Sequence, residues 1–309
     1  GTESDILIFQ LIMIVSDLFE TFDSAPFLEY ALNKTVTFFS SEKVELFESL
    51  LICFCEFFDA TIENSDEIQC HEIIPKFIEI ASTFSENQQQ IVRLVCVRIL
   101  FYVEQKVNVT DDSIIECALN YLNEEEMGDK RSDLSDEIAC TAARFVRLMM
   151  EKNSEATVKY HQPIIEISLK KLEKSADQEL SENLIFILIN LNSLDGFDTQ
   201  IICLILQHFP VRIDESLVEC CYKWVVDILA LDFTEQFEEL ALRAIVRFMT
   251  CDIKKFVEEG SLTVEVLAAL LAVADSLPKE MVVESLGRNR NLVDVYASHI
   301  GYASSVVNK

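Results

Sequence analysis

Three stretches of this chain read as variants of one helical segment: IVRLVCVRIL from Ile91, IACTAARFVRLMM from Ile138 and ELALRAIVRFM from Glu239. Each is apolar at helical spacing with arginine set into it, and each predicts a helix covered by neighbours over much of its circumference. Such a helix has no stable existence alone in water, so successive helices must pack on one another. The class this implies is all-α, an α-solenoid of stacked antiparallel helix pairs. The step from Arg98 to Arg144 is about 46 positions, the length of a two-helix repeat of the HEAT or armadillo kind.

Composition agrees with that class. Half of the residues are hydrophobic, yet the chain has only 6 Gly and 5 Pro, too few for the turns of an all-β or α/β fold. The pattern predicts helices at about 5–21, 26–40, 43–62, 72–84, 88–106, 111–123, 135–151, 157–174, 178–192, 198–208, 215–231, 235–250, 263–276 and 279–302, the last broken near Gly287. Pro75 and Pro163 fall near helix starts, where a missing N–H costs least. Asp111 and Asp112 are placed to cap one helix, with Ser135 and Ser181 close to the starts of two others. Residues 1–309 read as a single helical-repeat domain, most regular over about 26–192 and less so over 198–309. Position 1 is Gly and not Met, which suggests a segment excised from a longer protein.

Apolar runs such as LIFILI from Leu184 fall far short of the ~20 residues that span a bilayer. Residues 5–19 come nearer, but Gln10, Ser16 and Asp17 interrupt them and no signal-peptide flanks accompany them. Of the 10 cysteines, Cys53, Cys55, Cys96, Cys117, Cys140, Cys203, Cys220 and Cys221 lie in apolar periodic runs without the spacing of a zinc site. They are expected to be buried free thiols in a reducing compartment, nuclear or cytoplasmic.

The inset arginines Arg93, Arg98, Arg144, Arg147, Arg243 and Arg247 admit two roles. They form either a ligand-gripping row or a set of pairs with acidic side chains of neighbouring repeats, and 53 acidic against 25 basic residues favours the pairs. A net charge of −28 leaves only Lys170/Lys171/Lys174, Lys254/Lys255 and Arg288/Arg290 as basic groups, which speaks against direct nucleic-acid binding and against anionic membrane. Such a surface attracts a basic or amphipathic segment of another protein. The acidic stretch Asn123 to Glu137 is expected to be a solvated connector and lacks the order of a calcium loop. His71, His161, His208 and His299 show no metal or catalytic spacing, and no phosphate-cradling glycine loop or nucleophile elbow occurs. The expectation is a non-enzymatic protein with no cofactor, metal or small-molecule substrate.

The run FESLLICFCEFFDATI from Phe47, then IIPKFIEIASTFSENQQQIVRLVCVRILFYVEQ from Ile73, VTDDSIIECALNYLNEEE from Val109 and DEIACTAARFVRLMM from Asp136, resembles HEAT-repeat subunits of the SMC chromosome complexes. The condensin G-type subunit's C-terminal domain is the nearest in pattern, with cohesin stromalin next. That resemblance implies a curved scaffold that binds a kleisin or regulatory protein within a larger nuclear assembly. The alternative is an importin- or exportin-like transport receptor that binds cargo or a Ran-like GTPase. Families of this kind also hold DNA in basic grooves, and this sequence shows no such basic patch.

Overall fold

A computed structural model of the chain describes residues 78–86, 90–106, 111–123, 133–152, 157–191, 198–231 and 237–308, with Leu7, Pro75 and Lys76 as single positions. The helices are α1 (Gln90–Lys106), α2 (Asp112–Asn123), α3 (Asp133–Lys152), α4 (His161–Lys174, entered through a 3-10 turn at Val158–Tyr160), α5 (Gln178–Leu191) and α6 (Thr199–Gln207). They continue as α7 (Glu215–Leu229), α8 (Glu238–Phe248), α9 (Ile253–Glu258), α10 (Val264–Ser276), α11 (Lys279–Ser285) and α12 (Arg290–Val307). No strand occurs among the described residues. The expected helices at 5–21, 26–40 and 43–62 lie outside the described residues, as does part of 72–84, of which 78–83 is helical. Two compact units divide the chain after Ile164.

In the first unit α1 packs against α2 and α3, and α2 packs against α3. Leu94, Val95, Cys96, Val97, Ile99, Leu100 and Val103 of α1 are all buried, so this helix is enclosed on most sides, as its apolar sequence requires. The small Ala139, Ala142 and Ala143 of α3 are buried too, which lets neighbouring backbones approach closely. Lys152, at the end of α3, donates its ammonium to the Gln105 carbonyl at 2.7 Å and also to that of Glu104. These are among the last carbonyls of α1, which have no partner within their own helix. Asp111 caps α2 as expected, accepting from the Ser113 amide at 2.9 Å and hydroxyl at 2.7 Å, and these bonds hold its carboxyl below the usual range.

The second unit shows the repeat most plainly. Helices α5, α7 and α10 pack one on the next in a row, and α6, α8 and α11 make a second row beside them. Cross-contacts of α8 with α7 and α10 join the rows, while α12 lies against α9 and α10. Contacts between alternate helices are the signature of stacked helix pairs, so the all-α repeat class stands on packing. Between α8 and α10 lies α9, a short helix the periodicity does not reveal. Asp252 caps it through the Lys255 amide at 3.1 Å, and Gly260 closes it at φ +76, a backbone state open to glycine.

Two cap assignments differ from expectation. The cap of α5 is Asp177, which accepts from the Leu180 amide at 2.7 Å, whereas Ser181 lies inside the helix with its hydroxyl on the Asp177 carbonyl. Ser135 likewise falls within α3, which begins at Asp133 and so takes in the last part of the expected connector. The break near Gly287 is present, with both Gly287 and Arg288 at φ 61.

Cys96, Cys117, Cys140 and Cys221 are buried, while Cys203 and Cys220, expected to be buried, are half-exposed, as is Cys251. Burial raises the Cys117 thiol above its ordinary range and pushes that of Cys251 to about 11. A thiol reagent at neutral pH is therefore expected to modify Cys203 and Cys220 in the native protein, leaving the four buried cysteines until denaturant is added. Peptide mapping of the labelled sites against time checks this order, and early loss of Cys96 or Cys221 would contradict it.

Candidate interaction surface

The six inset arginines do not form one exposed row. Arg93 is buried, Arg98, Arg144 and Arg147 are half-buried, and these four belong to the first unit. Arg98 of α1 pairs with Glu137 of α3, the neighbouring-helix ion pair that the charge ratio favours. Arg147 lies 3.9 Å from Glu151 one turn along, and in the second unit Arg243 pairs with Glu239 one turn back. Arg247 alone of the six is exposed. The burial of Arg93 and the part-burial of Arg98, Arg144 and Arg147 are consistent with a structural role for these four.

The surface with the clearest design is in the second unit, and it begins with a buried acid. Glu182 of α5 is fully buried, and its carboxylate accepts from the backbone amides of Arg212 at 2.8 Å, Ile213 at 2.9 Å and Asp214 at 3.0 Å. Gln178, one turn back in α5, donates to Glu182 at 3.1 Å and to the Pro210 carbonyl at 3.0 Å. A buried carboxylate is stable only with such donors, and three successive amides of an irregular segment are satisfied in return. The segment before α7 is thereby fixed. Yet the Ile213 side chain, whose own amide is gripped, stands 51% exposed.

Around Ile213 runs an edge where two helices of one row begin. Asp214 caps α7 through the Ser216 amide at 3.1 Å. Glu219, one turn into α7, accepts from both the amide and the hydroxyl of Thr263 at 3.2 Å, and Thr263 is the cap of α10. The first residue of α10 is Val264, 47% exposed. Lys255 of α9 pairs with Glu215 and lies 3.9 Å from Glu259. The hydrogen bond between Glu259 and Glu215, with Lys255 beside them, holds Glu215 below the ordinary carboxylate range and raises Glu259 above it. Lys254 lies 3.7 Å from Glu258, so the Lys254/Lys255 group is engaged by acids and forms no basic patch.

Two exposed aliphatic side chains, Ile213 and Val264, thus stand at the starts of two helices joined by the Glu219–Thr263 bonds, with Asp214, Glu215 and Glu265 adjacent in sequence. Sequence reasoning named no binding residue, and this edge was invisible to it. Ile213 next to Val211 reads as core, and nothing local shows that a glutamate some 30 positions earlier holds its backbone outward. The signals present were the cap residues Asp214 and Thr263. Among the described residues no group of histidine, cysteine and acidic side chains is arranged to hold a metal, and no helix is long and apolar enough to cross a membrane.

No protein-family model matches the chain, and no curated protein matches it in sequence. Among solved structures it is similar to two engineered proteins and a designed armadillo repeat protein. The first engineered protein is 17% identical with a TM-score of 0.42, over 87% of this chain and 97% of the other. The second is 14% identical with a TM-score of 0.38, over 86% and 98%. The armadillo design is 15% identical with a TM-score of 0.35, over 87% and 99%. With every TM-score under 0.5, the repeat class of this chain rests on its helix contacts and not on these likenesses.

Proposed function

We propose that this chain is a non-enzymatic protein-interaction scaffold that binds a basic segment of a partner carrying apolar anchors. The observation that supports it is the exposure of Ile213 and Val264 on a hydrogen-bonded edge among carboxylates, in a chain with a net charge of −28. Apolar contacts supply affinity there, and the field of the carboxylates speeds encounter and selects the sign of the partner. On the resemblance of residues 46–190 to HEAT subunits of SMC complexes, the assembly we propose is a nuclear, chromosome-organising one in which the partner is a kleisin or a regulatory protein.

Titration with a synthetic peptide of alternating Lys and Leu tests the chemistry. Binding is expected to weaken as salt rises from 50 to 300 mM on the scale of the Debye length, roughly 8–10 Å at intermediate salt, and to fall about tenfold in Ile213→Asp. Duplex DNA at the same salt is expected not to bind. Affinity indifferent to both salt and Ile213→Asp, or tight duplex binding, would overturn the proposal. Affinity purification then separates the assemblies: recovery of a kleisin or SMC protein supports the chromosomal one, and nucleotide-dependent recovery of a Ran-like GTPase the transport receptor.

A further inference from the structure

One seven-residue pattern occurs twice, DDSIIEC from Asp111 and DESLVEC from Asp214. It opens α2 in the first unit and α7 in the second. The two copies are also built alike. The leading Asp of each accepts from the amide and the hydroxyl of the serine two positions on, at 2.9 and 2.7 Å for Ser113 and at 3.1 and 2.5 Å for Ser216. Both serines are exposed, while the aliphatic pair that follows, Ile114 and Ile115 or Leu217 and Val218, is buried. A lysine 47 or 40 positions later pairs with the acid just before the serine, Lys159 with Asp112 and Lys255 with Glu215.

Capping explains the aspartate and its bonds to the serine, but not the acids on either side. Acidic residues are abundant in this chain, yet of its serines only Ser113 and Ser216 have an acid three positions on, Glu116 and Glu219. Both also carry acids one and two positions before, and neither copy contains a basic residue. Kinases choose among serines by such charge patterns, and one with a basic substrate groove selects carboxylates on both sides of the acceptor. The place in the fold suits that use, because the first turn of a helix, whose amides lack partners in the helix, opens more readily than its middle.

We propose that Ser113 and Ser216 are phosphate acceptors for an acid-directed serine kinase, and that phosphate on Ser216 strengthens the hold of the α7–α10 edge on a basic segment. The first part stands by itself, and the second rests on the scaffold function above. In the transfer, a bond forms from the serine oxygen to the γ-phosphorus of ATP as the bond to the β-phosphate oxygen breaks, the hydroxyl proton leaves and ADP departs. The product anion sits in the first turn of its helix, where the positive end of the dipole favours it, beside an acid already paired with lysine. On Ser216 it adds about −1.5 to −2 charge at pH 7, close in sequence to the exposed Ile213.

The test incubates the full chain with magnesium, ATP and an acid-directed serine kinase, beside an arginine-directed kinase as control. Peptide mass mapping is expected to place phosphate on Ser113 and Ser216 of the native protein with the first kinase and on neither with the second. Ser113→Ala and Ser216→Ala should each remove one site with circular dichroism unchanged, and Glu116→Gln should slow transfer to Ser113 about tenfold, the scale of one lost charged contact. Either serine left unmodified in the folded chain, equal transfer by both kinases, or an indifferent Glu116→Gln would overturn the first part. The alternating Lys and Leu peptide reads the second part: at about 50 mM salt its affinity should rise severalfold when wild type is phosphorylated, and not when Ser216→Ala is treated alike. Unchanged affinity would overturn that part. Failure of the peptide to bind the unmodified chain would overturn the scaffold function and the second part together, and leave the mapped phosphates as they are.

Discussion

Glu182→Ala is expected to destabilise the protein by on the order of 3–5 kcal/mol, the scale for removing one partner from a buried charged network. The fully buried carboxylate accepts from three successive backbone amides, and alanine leaves Arg212, Ile213 and Asp214 without those acceptors. Glu182→Gln keeps the volume and one acceptor oxygen but turns an amide N–H₂ toward backbone donors, so its loss should be smaller, about 1–3 kcal/mol. Chemical denaturation measures both, and amide exchange at Arg212 to Asp214 should quicken in step. A Glu182→Ala loss under about 0.5 kcal/mol, the range of ordinary surface changes, would show that the segment holds its shape without the acid.

Tyr222→Ala carries the other large effect. Tyr222 is fully buried, stacked on Phe248 with ring centroids 3.7 Å apart and meeting Phe209 edge-on at 5.4 Å. Phe248 in turn stacks on Phe256 of α9 at 5.7 Å. Removing the ring leaves a cavity among side chains from several helices, and the cost should be about 3–5 kcal/mol. Tyr222→Phe separates packing from hydrogen bonding. The phenol donates to the Val211 carbonyl at 3.3 Å, and burial keeps it protonated by pushing its pKa well above the usual range. Losing that bond should cost about 1 kcal/mol, and equal losses in the two variants would contradict the packing account.

The helices were legible because their apolar positions repeat over three or more turns, long enough for a period to emerge in α1, α3, α5 and α7. Capping at Asp111 was legible too, since an aspartate before an apolar run has one common use. The sequence IKKFVE of α9 is too short to show a period, and its cap at Asp252 and its contacts with α8 and α12 emerge only in the structure. Glu182 was illegible for another reason. In QELSENLIFILINL it looks like one more polar residue near a helix start, and its role depends on amides some 30 positions away. The binding edge is a product of that same distant pairing. Arginine pairing was readable as a tendency from the charge ratio, but which acid Arg98 meets depended on how α3 lies beside α1.

In a stack where each layer touches only its neighbours, load passes from layer to layer and compliance resides at the seams. Apolar contacts between helices are not directional, so a seam made of them alone resists sliding little. The seam between α5 and α7 is tied more firmly, since the Glu182 side chain of one helix accepts from three successive amides of the main chain that leads into the other, where Glu219 of α7 accepts from one amide before α10. A pull on a partner anchored at Ile213 is therefore carried through backbone amides into α5 rather than taken up as local stretching. For this part of the chain, binding at the edge would be mechanically stiff, and strain would appear first at seams without such a tether.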